Sequence, residues 1–210
     1  IMKISSCKPQ HGSYLELILE SGPVYEIHRD IAMMYDLMNI EDISEETLVK
    51  MLFDNDVRRA YHRALYLLER QSYSYHMLFL KLSNNYDDDV CYEVMDRLTK
   101  LGVINDWEYA ENAARRAAEI KLYGPRRICQ ILYQKGIPKT VIDKTVSEYV
   151  SAEYQTEQII QLLNKKYSRM LDDKEDKKKI EKCKAALVRM GYGFTPIAAA
   201  LKLYFENEKS

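Results

Sequence analysis

Apolar residues recur with a two-residue period only near the start of the chain. Leu15, Leu17 and Leu19 interleave with Glu16 and Ile18, Glu20-Ser21-Gly22-Pro23 supplies a turn, and Val24-Tyr25-Glu26-Ile27 gives a returning strand. The pattern predicts a small β-hairpin, with residues 2–6 as a third strand. An isolated hairpin is marginal in water, so this one is expected to lean on the segments that follow. From about residue 30 the apolar spacing becomes helical and glycine is scarce.

Start and stop signals divide the remainder into helices. Ser44 followed by Glu45 and Glu46 opens one, and residues 56–70 form the next, with Ala60, Ala64, Leu67 and Leu68 on one side. Ser74 can cap a helix carrying Leu78 and Leu82. Asp87-Asp88-Asp89 opens a helix with Val90, Val94 and Leu98 inside, which stops at Gly102. Asn105-Asp106-Trp107-Glu108 resembles a capping box, and Trp107, Ala110, Ala114 and Ala117 are expected on the inner face of the helix it starts. Gly124-Pro125 starts another helix, with proline where its missing N–H costs nothing, and Ile128, Ile131 and Leu132 inward. Gly136 is the expected left-handed stop, and Pro138 begins a helix with Val141, Ile142, Thr145, Val146 and Tyr149 on one face.

This framework repeats. Leu187, Gly191, Ile197, Leu201 and Tyr204 match Leu132, Gly136, Ile142, Val146 and Tyr149 at one constant offset, and Pro196 again follows a capping residue, Thr195. The expected fold is mainly α. Three tandem three-helix repeats at residues 56–102, 105–150 and 152–207 form an elongated curved array. Residues 1–55 hold the β-hairpin and short helices. Each repeat is too small for its own core, so neighbours are expected to stack.

Composition narrows the function. The 210 residues carry a net charge of −1, so an electrostatic partner must be met by a local patch. No apolar run approaches membrane-spanning length. Cys7, Cys91, Cys129 and Cys183 are far apart and form no C-x-x-C pair, which points to a reducing cytoplasm and away from a disulfide frame or a zinc site. No nucleotide-loop, serine-hydrolase or zinc-protease motif occurs, and His11, His28, His62 and His76 are scattered. The expectation is a protein without catalytic residues, cofactor or metal. Asp87-Asp88-Asp89 reads as helix capping and dipole stabilisation, since successive helical residues do not face one another.

Charge is unevenly spread. Between residues 113 and 139 lie Arg115, Arg116, Lys121, Arg126, Arg127, Lys135 and Lys139 against the single acid Glu119. Between residues 83 and 96 lie Asp87, Asp88, Asp89, Glu93 and Asp96 and no base. A third stretch, residues 165–184, mixes nine bases with five acids, and its Lys177-Lys178-Lys179 run reads as a solvated helix face. The central cluster reads in two ways. It is a solvated face partly neutralised by Glu111–Arg115 and Arg115–Glu119 pairs, or a contact surface for phosphates or an acidic protein groove. In the second reading the contact residues are Arg115, Arg116, Lys121, Tyr123, Arg126, Arg127 and Lys135.

The stretch Lys121-Leu-Tyr-Gly-Pro-Arg-Arg-Ile-Cys-Gln-Ile-Leu-Tyr-Gln-Lys-Gly136-Ile137 resembles the K-x-x-G-x-x-R-I-x-x-E-L-x-x-K-G-I segment of the RecX family, bacterial regulators of the RecA recombinase. Ala64-Leu-Tyr-Leu-Leu-Glu-Arg70 with Ser74 and Leu78, Gly102-Val-Ile-Asn-Asp106 with Tyr109-Ala110, and Leu187-Val-Arg-Met-Gly191-Tyr192 resemble three further family patterns. The first 55 residues look like the N-terminal extension of RecX proteins from Gram-positive bacteria. Met77, Asn105 and Ile131 depart from the family's Glu, Asp and Glu, at positions that read as surface or caps. The resemblance implies a nonenzymatic inhibitor of RecA. It would bind in the groove of the RecA–single-stranded-DNA filament and lower its ATPase, strand-exchange and coprotease activities. It further implies a cytoplasmic monomer, with direct contact to single- or double-stranded DNA as an additional possibility and no membrane. Leu82, Ala110, Gly124, Ile128, Leu132 and Gly136 are shared with the family but are structural by their physics. The alternative reading is a helical-repeat protein that binds single-stranded nucleic acid directly; the chain shows no obvious stacking platform for it.

Overall fold

A computed structural model describes residues 1–172 and 176–207. Asp173, Lys174 and Glu175 of the mixed-charge stretch lie outside the described residues, as do the last three residues of the chain. The strands β1 (Met2–Pro9), β2 (Tyr14–Leu19), β3 (Val24–His28) and β4 (Asp42–Ile43) form one antiparallel sheet in the order β3-β2-β1-β4. Leu15 pairs with Ile27 and Cys7 with Leu17. Leu15, Leu17 and Leu19 all face inward, as their two-residue period requires. The sheet leans on α1 (Arg29–Met34) and α2 (Glu45–Leu68) through a core of Leu17, Leu19, Ile27, Ile31, Leu37, Leu48 and Met51.

The two helices expected on either side of residue 56 are one. α2 starts at Ser44, whose hydroxyl accepts from Thr47 N–H at 3.0 Å, and runs 24 residues without a break. The polar triplet Asp54-Asn55-Asp56 looks like a boundary, but Asn55 is buried and satisfied. It accepts from His28 N–H at 2.8 Å and donates to Glu26 C=O at 3.1 Å. The polar side chain clamps β3 to the helix interior instead of ending the helix. α3 (Tyr75–Leu82) and α4 (Asp88–Lys100) follow. Leu78, Leu82, Val90, Val94 and Leu98 are buried, and Gly102 ends α4 with φ +70. Asp87 stands at the N-cap position of α4 without a side-chain cap bond, so its neighbours Asp88 and Asp89 act on the helix dipole.

The chain divides into two compact units. One comprises residues 1–72 and 78–103, the other residues 73–77 and 104–210. In the second unit, α5 (Asp106–Arg115), α6 (Pro125–Gln134) and α7 (Lys139–Ser147) enclose Ala110, Ala114, Ile128, Leu132, Val141, Ile142 and Val146. After them, α8 (Ala152–Leu162), α9 (Lys177–Arg189) and α10 (Phe194–Asn207) enclose Ile159, Leu162, Cys183, Leu187, Ile197 and Leu201. The framework matched at constant offset is therefore core in both copies, and Gly136 (φ +72) and Gly191 (φ +99) are both left-handed stops. In both copies the first helix also ends in a wide π-turn, Arg116–Ile120 after α5 and Leu163–Tyr167 after α8. Thr195 is not the cap of the last helix: α10 already begins at Phe194, with Ile197 N–H bonded to Gly193 C=O at 3.3 Å.

The two copies are joined by backbone contacts. Gly124 N–H donates to Met190 C=O at 2.8 Å, and Arg126 N–H to Gly191 C=O at 3.2 Å. A Cβ on Gly124 would meet the Gly191 carbonyl carbon at 2.5 Å, so glycine is required there for close approach. Leu122, at φ +52, sends its side chain into the core of the last three helices, and its carbonyl accepts from the buried Tyr192 hydroxyl at 3.0 Å.

Candidate partner-binding surface

The seven residues expected to make contacts sit on one stretch of chain but not in one cluster. Arg115 is the last residue of α5, and Arg116 opens the π-turn that follows. Lys121 lies beyond that turn. Tyr123, Arg126 and Arg127 surround the N-terminus of α6, and Lys135 caps its other end. Arg126 and Lys135 are separated by nine residues, about 14 Å along a helix rising ~1.5 Å per residue. The structure brings Arg127 and Tyr123 together, with the guanidinium 5.9 Å from the ring centre. The same guanidinium donates to Gln130 Oε1 at 2.7 Å.

The pairs expected to neutralise this face do not form. Among the described residues, Arg115, Arg116, Lys121, Arg126 and Lys135 make no ion pair, and neither Glu111–Arg115 nor Arg115–Glu119 closes within 4.0 Å. The π-turn explains the second case. It adds a residue to the turn, so positions four apart no longer stack over one another. Among the described residues, Lys139 alone of the central bases is neutralised, by Asp143 at 2.7 Å. Arg126 and Arg127 also occupy the first turn of α6, where the helix dipole disfavours cations and no acid compensates.

Trp107, expected inside, is 43% exposed. Ala110, Ala114 and Ala117 pack inward with Ala118, and Tyr109 and Ala113 pack beside them; Trp107 lies at the start of α5, with the Lys144 ammonium 5.3 Å from its ring centre. It borders a cleft of about 330 Å³ between α5 and α7, lined by Glu111, Arg115, Lys144, Thr145, Glu148 and Tyr149 as well. Burial raises the Tyr149 hydroxyl pKa, with Glu148 adding to it, so the phenol is neutral at physiological pH. Periodicity placed Trp107 inside because it belongs to the same helical stripe as the alanines; the signal that pointed outward was its position beside the Asn105 cap.

The remaining departures are local. Asn105 caps α5, accepting from Trp107 N–H at 3.0 Å and from Glu108 N–H at 3.3 Å. Met77 accepts from the Tyr109 hydroxyl through its sulfur at 3.5 Å. Ile131 is not a surface position: it packs against the core of α5–α7. The four cysteines are free thiols, and burial raises the Cys183 pKa to about 11, which leaves it inert at neutral pH. No group of three or more metal-binding side chains occurs among the described residues, and no described helix is long and apolar enough to cross a membrane.

Comparison with known proteins agrees with this architecture. The family model described as the RecX first three-helix domain matches residues 60–98, and that of the RecX second three-helix domain matches residues 105–146. The regulatory protein RecX of Clostridioides difficile (strain 630) is 31% identical over 176 residues, which cover 83% of this chain and 82% of the relative. A crystal structure of regulatory protein RecX shares the fold, with a TM-score of 0.73 at 22% identity over 96% of this chain and 99% of the other. That of RecX from Lactobacillus salivarius gives 0.65 at 26% identity, over 72% and 97% of the two chains. The two matched domains run from the second half of α2 to α7, and the likeness of sequence runs well beyond them: this chain belongs to the RecX family of regulatory proteins.

Proposed function

We propose that this chain is a nonenzymatic inhibitor of the RecA recombinase. It lies in the groove of the RecA–single-stranded-DNA filament and lowers its ATPase, strand-exchange and coprotease activities. Membership of a family of regulatory proteins carries the reading. The cations of the α5–α6 region support a contact face: among the described residues Arg115, Arg116, Lys121, Arg126 and Lys135 have no acid partner, and Tyr123 with Arg127 offers a planar ring beside a guanidinium fork.

The test is the single-stranded-DNA-dependent ATPase of the RecA from the same organism, titrated with this chain well below one per RecA monomer. A fall in rate at substoichiometric amounts is expected, because one bound chain in a filament groove stops exchange for many protomers. An unchanged rate, together with tight and salt-sensitive binding to bare DNA, would transfer the function to direct nucleic-acid binding.

A further inference from the structure

The cleft between α5 and α7 is built differently from the rest of the surface. Its rim carries the half-exposed Trp107 ring and four charged side chains, Glu111, Arg115, Lys144 and Glu148. Among the described residues none of the four is paired with an opposite charge within 4.0 Å. Two acids and two bases line one concavity and leave each other unneutralised. The Thr145 side chain on α7 also lines this cleft, and its hydroxyl is buried with no hydrogen-bond partner. Buried hydroxyls in folded proteins are nearly always satisfied, so an orphan beneath an open cleft marks a place where a partner is missing.

We propose that this cleft binds one nucleotide of a single-stranded nucleic acid. The base stacks on the indole of Trp107, and the adjoining phosphate lies between Arg115 and Lys144. The exposed indole is the stacking surface such a ligand needs, and the flanking cations are the groups that follow its backbone. Lys144 stands over the ring in the free protein. A base taking that ring face displaces the ammonium toward the phosphate, so one movement serves both contacts. Glu111 and Glu148 repel a carboxylate run and a phosphate alike, so the indole decides for a nucleotide: its base faces the two carboxylates while its phosphate stays on the side of Arg115 and Lys144. A base accommodates the carboxylates through its amino and ring N–H donors. Adenine, guanine and cytosine carry an exocyclic amine that thymine lacks, so amine-bearing bases are favoured. Binding that uncovers the Thr145 hydroxyl would let a base edge satisfy it.

This site shares Arg115 with the proposed RecA contact face, but it is tested without RecA. Trp107 is the only tryptophan in the chain, so its fluorescence reports the cleft alone. The intact protein is titrated with a short single-stranded DNA oligonucleotide, with an oligothymidylate, with an abasic oligonucleotide of equal phosphate count, and with polyglutamate. Saturable quenching by the mixed-sequence strand is expected. Affinity should fall roughly tenfold or more for the abasic strand, as loss of a base–aromatic stack predicts. Oligothymidylate should be the weaker of the two base-bearing strands. Arg115→Ala and Lys144→Ala, both surface changes that leave the fluorophore in place, should each shift the titration to higher concentration. Equal affinity for the abasic and base-bearing strands, or equal quenching by polyglutamate, would overturn the assignment in favour of a plain anion-binding face. An unquenched Trp107 in the presence of a labelled strand shown to be bound would place the nucleic acid elsewhere.

Discussion

Glycine has two separate jobs in this chain. Gly136 and Gly191 end helices in the left-handed region that other residues avoid. Gly124 has an ordinary φ of −75 and is held by proximity alone, since a Cβ would meet Gly191 backbone atoms at 2.5 and 2.6 Å and Tyr192 N at 2.7 Å. Backbone cannot move aside as a flexible side chain can. Gly124→Ala should therefore lower stability by roughly 1–3 kcal/mol, the range of overpacking changes. Gly193→Ala, whose Cβ would find only Pro196 at 3.6 Å, should leave the urea midpoint nearly unchanged. Equal midpoints for the two variants would mean that the Gly124–Gly191 contact is not holding the two copies of the repeat together. Both left-handed stops were legible because they close a periodic apolar stripe. Leu122 was not, since leucine is among the residues least suited to φ +52. Its conformation is held by the core that takes its side chain and by the Tyr192 bond to its carbonyl.

Elements in the N-terminal unit are tied by His28. Its Nδ1 accepts from Asp30 N–H at 3.1 Å, capping α1, and from Arg58 Nε–H of α2 at 2.9 Å, while Arg58 also reaches Asp30 at 2.6 Å. Both bonds need an unprotonated Nδ1. Burial and, after it, the Arg58 charge lower the His28 pKa from its usual value near 6.5; His62 and Arg29 act in the same direction, and Asp30 opposes them. The folded pKa is below the unfolded one, so the stability His28 contributes is whole above about pH 6.5 and is lost as pH falls below it. Chemical denaturation between pH 7 and pH 5 should show a decline in stability that His28→Asn, which keeps a capping side chain but does not titrate, makes shallower. An identical slope in the variant would remove His28 as the cause. Neither this tie nor the unbroken α2 could be read from spacing. Asn55 is a boundary signal by its polarity, and only the arrival of β3 beside it makes it an interior residue.

For the whole molecule, the basic stretch of sequence spreads into separate locations. Arg115 belongs with the Trp107 cleft, Tyr123, Arg126 and Arg127 with the start of α6, and Lys135 with its end. Reversing Arg126 and Arg127 to Glu should weaken inhibition of RecA while leaving the fold intact, since both side chains are exposed and α6 would gain acids where its dipole favours them. Inhibition at the wild-type level by the folded double variant, followed in the same ATPase titration, would remove the α6 start from the contact face. The family likeness, the helical repeat and its stops were all determined by the sequence, because apolar period, caps and glycines act over one or two turns and need no distant partner. Only the tertiary structure decided which polar groups are free. Trp107 became a surface ring, Asn55 a buried clamp and Arg115 an unpaired cation through what other segments brought, or failed to bring, within hydrogen-bonding distance.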